Sequence, residues 1–316
     1  MRMRPFGIAT AAAIAWAVVA CKAGPRLFPD TEASRASPIR VAFLPPERTP
    51  IVEQLSTTRV EGPDGGTEVQ TVHATLTSTF ERAGDGWLLT QKLSDVRAER
   101  EGAGVESPFL ALMTRFPIKL RLAKDGAFVR LANPEDAEAA IRATFPDPEQ
   151  AAIVLRYLTP EAIEKQAKLE WNGKYGDLLG REVLPGHAWY AWEAVPLAGG
   201  AELGYVLERK LLQARPSDGG RELVIALSCP NSPEAAANSV AMRALLESRD
   251  ELAMEQTVAC TGEQVIGLDP FVPRSIRLEL TAAPKDPSGG KRPLAMTRTM
   301  RTQEPLGIGV RKQEVR

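Results

Sequence analysis

Apolar residues recur at every second position in several separate stretches of the chain. Val72, Ala74, Leu76 and Phe80 alternate with His73, Thr75, Thr77, Thr79 and Glu81. Ile118, Leu120 and Leu122 alternate with Lys119 and Arg121, and Asp125-Gly126 then turns the chain towards a second strand near 127–131. Leu223, Ile225 and Leu227 form another row. Ile276, Leu278 and Leu280 alternate with Arg277 and Glu279, and a further strand is expected over 294–302 after a Pro/Gly-rich loop. A period of two marks strands with one buried face. One-sided strands favour an antiparallel sheet over the doubly buried strands of a parallel one.

Between these stretches one helix-starting device repeats. Asn133-Pro134-Glu135, Asp147-Pro148-Glu149, Thr159-Pro160-Glu161 and Ser232-Pro233-Glu234 each place a capping side chain before proline and an acid. Proline at the first helical position loses nothing, because its missing N–H would be unpaired there anyway. The acid that follows sits at the positive end of the helix dipole. Gln150 completes a capping box with Asp147. Helices are therefore expected over 134–144, 148–158, 160–172 and 233–255. The third carries Ile163, Ala167 and Trp171 on one stripe and stops at Asn172-Gly173. The fourth carries Ala237, Val240, Ala241, Ala244 and Leu245 on its buried face.

The expected fold class is α+β: a curved antiparallel sheet packed by helices inserted between groups of strands. It forms a single domain over 51–303, with a loose tail over 304–316.

The N-terminus departs from both periods. Met1-Arg2-Met3-Arg4 is basic, and Ile8 to Ala20 is an unbroken run of apolar or small residues. That run is shorter than the roughly 20 residues a membrane-spanning helix needs, and suits the central region of a signal peptide. It ends in Val18-Val19-Ala20-Cys21, which resembles the bacterial lipobox. The resemblance implies lipid transfer to the Cys21 sulfur and cleavage after Ala20, so that residues 1–20 are a lipoprotein signal peptide. Acyl chains contribute roughly 0.8 kcal/mol per buried CH₂, so two or three make a stable anchor. An ordinary secretory signal, with Cys21 incidental, is the alternative. Pro25, Pro29, Pro38, Pro45, Pro46 and Pro50 make residues 21–50 read as an extended tether. Lys22, where an Asp often marks inner-membrane retention in such lipoproteins, favours the outer membrane.

Removal of Arg2 and Arg4 with the leader leaves 37 basic against 40 acidic residues, a net charge of −3. The charges are interspersed, which offers no field for nucleic acid. With Cys21 lipidated, Cys229 and Cys260 remain as a pair in an oxidising compartment. A disulfide closing that loop would stabilise by about 3–4 kcal/mol in the chain-entropy model. Two free thiols, or a two-thiolate metal site lacking further ligands, are the alternatives.

Chemistry is scarce. The chain has two histidines, His73 on a polar strand face and His187 in an expected turn after Pro185-Gly186, and no HExxH or CxxC spacing. No GxSxG elbow nominates a nucleophile. Ser288-Gly289-Gly290-Lys291 matches Ser-x-x-Lys in letters, but lies among prolines rather than at a helix start. No catalytic residue, metal ligand or cofactor is therefore expected, and the chain does not read as an enzyme. The one aromatic concentration is Trp189, Tyr190 and Trp192. Placed on a strand, Trp189 faces one side and Tyr190 and Trp192 the other, as core residues or as contacts to a ligand.

The order of elements over 51–303 looks like that of the periplasmic lipoprotein-carrier (Lol-type) half-barrels. That resemblance implies a concave apolar face, covered by helices, able to hold an acyl chain or apolar peptide. Two functions follow: a non-catalytic envelope module that binds lipid or another apolar ligand, or a structural and interaction lipoprotein whose sheet is filled by its own helices. Either works at a membrane through its lipid anchor.

Overall fold

A computed structural model describes residues 37–61, 68–106, 108–176, 178–196, 202–217, 220–229, 256–284 and 294–303. Residues 1–20 with the expected signal peptide, Cys21, the expected helix over 233–255, Ser288 to Lys291 and the expected tail over 304–316 lie outside the described residues. In chain order the elements begin with β1 (Ile39–Arg40), β2 (Ile51–Glu61), β3 (Glu68–Ala83), β4 (Gly86–Arg100) and β5 (Ala103–Val105). Helix α1 (Pro108–Arg115) precedes β6 (Ile118–Leu122) and β7 (Phe128–Leu131). Then come α2 (Pro134–Thr144), α3 (Pro148–Tyr157), α4 (Pro160–Trp171) and a π-helical turn (Asn172–Gly176). The chain returns to strands with β8 (Glu182–Val183), β9 (Ala188–Pro196), β10 (Glu202–Ser217) and β11 (Gly220–Ser228). It finishes with β12 (Gln256–Leu268), β13 (Phe271–Pro284) and β14 (Leu294–Gln303).

Twelve of these strands form one antiparallel sheet in the order β7-β6-β4-β3-β2-β14-β13-β12-β11-β10-β9, with β5 paired to β4. The expected alternation is realised in its ladders. Phe80 stands opposite Leu89, and Leu89 opposite Leu120, all three buried on the same face. Leu223 stands opposite Ile266 on that face in the other half of the sheet.

The sheet is bent around its helices, and simple lengths show it. The backbone N–H of Leu131 on β7 donates to Glu164 on α4 (3.0 Å), and Arg209 on β10 donates to the Gly173 carbonyl just beyond α4 (2.7 Å). In a flat sheet at about 4.8 Å per strand, β7 and β10 would stand about 43 Å apart. Glu164 and Gly173 are separated by only about 14 Å of helix rise. The two ends of the sheet are therefore brought to opposite sides of one short helix. The sheet stays open, since its end strands β7 and β9 do not pair with each other.

Three of the four expected helices are present with the predicted starts, the fourth falling outside the described residues. Asp147 accepts a hydrogen bond from the Glu149 N–H (3.0 Å), and Thr159 from the Ala162 N–H (3.2 Å), as capping requires. Asn133 departs from the device. Its side chain accepts from the Lys119 N–H (2.9 Å) and donates to the Pro117 carbonyl (2.8 Å) and Asp136 (3.0 Å), so it ties β6 to α2 instead of capping the helix. Helix α1 was not expected. Ser107-Pro108 carries the cap and proline of the device, but Phe109 stands where the acid would be. Leu112 of α1 packs with Ile141, Phe145, Ala151 and Val154 of α2 and α3, a small core of its own beside the main one.

Part of the segment expected as a tether over 21–50 belongs to the folded core. Ile39, Val41 and Phe43 are buried in the main core, and β1 pairs with β8. Backbone bonds from Val41 to Arg181 (2.8 Å) and from Gly180 to Val41 (2.8 Å) hold the segment against the loop after α4. Pro38, Pro45 and Pro46 bracket this apolar stretch and hid it.

Cys229 and Cys260 form the expected disulfide. Ser228 pairs with Thr261 at the end of the β11–β12 ladder, so the next two residues face each other across the strands.

Candidate functional site

Helix α4 runs into its π turn over the concave face, and the polar residues beneath that segment fasten it. Trp171 donates its indole N–H to the Gly126 carbonyl (2.8 Å). Gly126 has a positive φ of 86°, and a Cβ there would lie 2.6 Å from the Phe43 ring, so only glycine fits this turn. Lys174 forms an ion pair with Glu53 on β2, whose side chain is 1% exposed. Gln264 on β12 donates to the Lys174 carbonyl (3.3 Å). On β10, Arg209 donates to both the Gly173 carbonyl and Glu193 (2.8 Å), and Tyr205 donates to the other Glu193 oxygen (2.9 Å). Glu193, Arg209 and Tyr205 are all buried.

Between α1, α4 with its turn, and strands β2, β3, β4, β6 and β14 lies a cleft that the core does not fill. It measures about 740 Å³ counting its solvent-open mouth. Leu55, Leu76, Leu93, Met113, Phe116, Ile118 and Met300 give it an apolar wall. Trp171 and Tyr175 close one side, and Gln91, Glu170, Lys174 and Arg298 supply the polar groups. A mostly apolar concavity with a few convergent polar groups is the usual form of a small-molecule site.

Burial sets the electrostatics. The Glu170 carboxyl is pushed up to about 8, chiefly by desolvation, against opposing help from a Gln166 hydrogen bond and the charges of Arg298 and Lys174. Burial pushes the Lys174 ammonium down from its ordinary value, while Glu53 pulls it back. The Tyr175 phenol is held well above its ordinary value, first by burial and then by Glu53. At neutral pH Glu170 and Tyr175 are thus neutral.

Glu170 gives a testable pH dependence. Its carboxyl keeps its proton in the folded protein up to about pH 8, whereas the unfolded chain loses it near the ordinary value of 4.5. The folded state then holds one proton more, so stability falls as pH rises from about 4.5 to 8 and levels off above. Contact with water in the cleft reduces the full linkage of ~1.4 kcal/mol per pH unit, leaving a loss of about 2 kcal/mol over the window. Urea denaturation at pH 5 and pH 8 should show this loss in the wild type and a flatter dependence in Glu170→Gln. Equal slopes in the two proteins would rule the assignment out.

The aromatic concentration lies elsewhere. Trp189 is buried in the main core on β9, opposite Arg209, and is not part of the cleft wall. Tyr190 is half-buried and faces the other side, opposite Glu208. Trp192 pairs with Val206 in the same ladder, and its side chain lies outside the described residues. His73 is exposed on β3, and His187 sits in the turn before β9, where its N–H donates to the Leu184 carbonyl (3.0 Å). Among the described residues no group of His, Cys, Asp or Glu could hold a metal ion. Nor is any described helix long and apolar enough to cross a membrane. The polar cleft residues escaped the sequence reading because none belongs to a motif. Glu170 and Lys174 flank the Asn172-Gly173 stop signal, and Arg298 sits in an otherwise ordinary strand.

No family model matches the chain, and no curated protein matches it in sequence. Among solved structures, a lipovitellin structure described by its lipid–protein interactions aligns over 83% of this chain and 25% of its own, at 9% identity and a TM-score of 0.43. An exported protein with a YmcC-like fold from Bacteroides fragilis aligns over 84% of this chain and all of its own, at 8% identity and a TM-score of 0.24. The ywiB protein from Bacillus subtilis aligns over 81% of this chain and 94% of its own, at 10% identity and a TM-score of 0.14. All three scores fall below 0.5, so none of these likenesses assigns the chain a fold family or a function.

Proposed function

We propose that the protein is an envelope lipoprotein, anchored through Cys21, whose domain binds lipid or another apolar ligand without catalysing a reaction. The observation that carries the ligand reading is the apolar cleft under α1 and α4, left open in a concavity otherwise packed by Phe43, Trp171 and their neighbours. Such a curved sheet with helices across its mouth would work as a half-barrel does. Its walls include Met113 and Met300, whose flexible side chains can move aside for an occupant. Support for export comes from the Cys229–Cys260 disulfide, because such bonds persist in oxidising compartments. A membrane address through the anchor, with the outer membrane favoured by Lys22, completes the reading.

The packed core supports a second function, a structural or interaction lipoprotein. Phe43 and the α4 segment fill most of the concavity from within the chain.

Two measurements decide. Cells fed a labelled fatty acid should label the wild type and not Cys21→Ala, and equal labelling would remove the anchor. Organic extraction of the purified full chain, read by mass spectrometry, should yield lipid in stoichiometric amount. A lipid-free, cooperatively folding protein that takes up no added lipid would favour the second function.

A further inference from the structure

Arg298 is the most unusual charge in the cleft. It lies on the inward face of β14, two positions from Met300, and only 9% of it is exposed. A guanidinium does not lose its proton in a protein, so this group is charged whatever its surroundings. A buried charge is ordinarily paired, because leaving it unpaired costs several kcal/mol. Two other buried charges of this core are paired: Lys174 is bonded to Glu53, and Arg209 to Glu193. Arg298 makes no ion pair or hydrogen bond among the described residues, although it lines the cleft.

We infer that the cleft takes a long-chain carboxylate, its hydrocarbon against the apolar wall and its head group on the Arg298 guanidinium. This rests on the apolar-ligand reading above and specifies the occupant's polar end. The charge balance fits a single negative head. Lys174 and Glu53 cancel each other. Glu170, the carboxyl that could have neutralised Arg298, is held protonated by burial, and Tyr175 is neutral. The wall residues from α1, β3, β4 and β6 are Met113, Leu76, Gln91, Leu93 and Ile118, none of them charged. Among the described residues one positive charge of the cleft therefore remains without an opposite charge, at a fork-shaped donor that matches a carboxylate bidentately. The protonated Glu170, whose carboxyl feels the Arg298 charge, can donate to the same head group.

Titration calorimetry of the full chain at pH 7 with palmitate, hexadecanol and acetate tests this. Palmitate is expected to bind at least about tenfold more tightly than hexadecanol, the scale of a hydrogen bond to a charged group. Arg298→Gln should erase that preference, while Arg298→Lys should keep most of it. Unfolding midpoints of both variants establish that they fold, and Arg298→Lys tests the charge should the glutamine variant not fold. Equal binding of palmitate and hexadecanol to the wild type would overturn the head-group assignment alone. So would a preference that survives Arg298→Gln. Acetate binding as tightly as palmitate would instead show that the hydrocarbon contributes nothing, and would overturn its place against the apolar wall. If neither long-chain compound binds, the apolar-ligand reading fails and this inference with it.

Discussion

Replacing Arg209 by alanine is expected to destabilise the protein by about 3–5 kcal/mol, the cost of leaving one partner of a buried ion pair uncompensated. The stranded charge would be Glu193, whose side chain is fully buried and whose other oxygen holds the Tyr205 hydroxyl. The loss goes beyond the pair, because Arg209 also donates to the Gly173 carbonyl and so holds the turn after α4 against β10. Charge and shape can be separated in one cycle. Arg209→Met combined with Glu193→Leu removes both charges and keeps volume, and buried pairs replaced in this way often cost little. Urea denaturation of the single and double variants should therefore show a large penalty in the singles and a much smaller one in the double. Single substitutions costing less than about 1 kcal/mol would place this pair with ordinary surface salt bridges.

Phe43→Ala is expected to cost about 3–5 kcal/mol, as truncation of a buried aromatic does. The Phe43 ring meets Phe80, Trp87, Trp171 and Phe271 edge-on, with centroids 5.7 to 6.0 Å apart. Edge-to-face pairs add about 0.5–1.5 kcal/mol each beyond the area they bury. These four partners come from β3, β4, α4 and β13, so one residue from outside the sheet joins its two halves to the helix. Conservative replacement by leucine should recover about half of the loss. If thermal denaturation shows Phe43→Ala within 2 °C of the wild type, the N-terminal segment is not part of the folded core.

Neither residue stood out in the sequence, and the reason is the same physics that makes them matter. The alternating pattern revealed β3, β6, β11 and β13, where the inward positions are nearly all apolar. In β2 the inward row is Ile51, Glu53, Leu55, Thr57 and Arg59, and in β10 it includes Arg209. A charge on the buried face breaks the period of two, so these long strands do not read as half-buried. Local rules fail where buried polar groups do a specific job. Here the job is to fix α4 and its turn over the sheet and, at Arg298, to present a charge to the cleft. The helices were legible because their start signals are local and chemical: a cap, a proline and an acid need no tertiary context. Phe43 was hidden differently, since three apolar alternations among prolines look like a spacer until something is found for them to pack against.

The packed N-terminal segment also fixes a length. Only the chain from Cys21 to Ile39 is left between the proposed anchor and the first residue of β1, and fully extended it spans at most about 60 Å. The domain would then stay within one such length of the membrane surface. A pull on the lipid would reach Ile39, Val41 and Phe43 before any other part of the fold. That segment lies against α4 through the Phe43–Trp171 contact, and Trp171 is also a wall of the cleft. Tension on the proposed anchor would thus be felt first at the helix that closes the cleft.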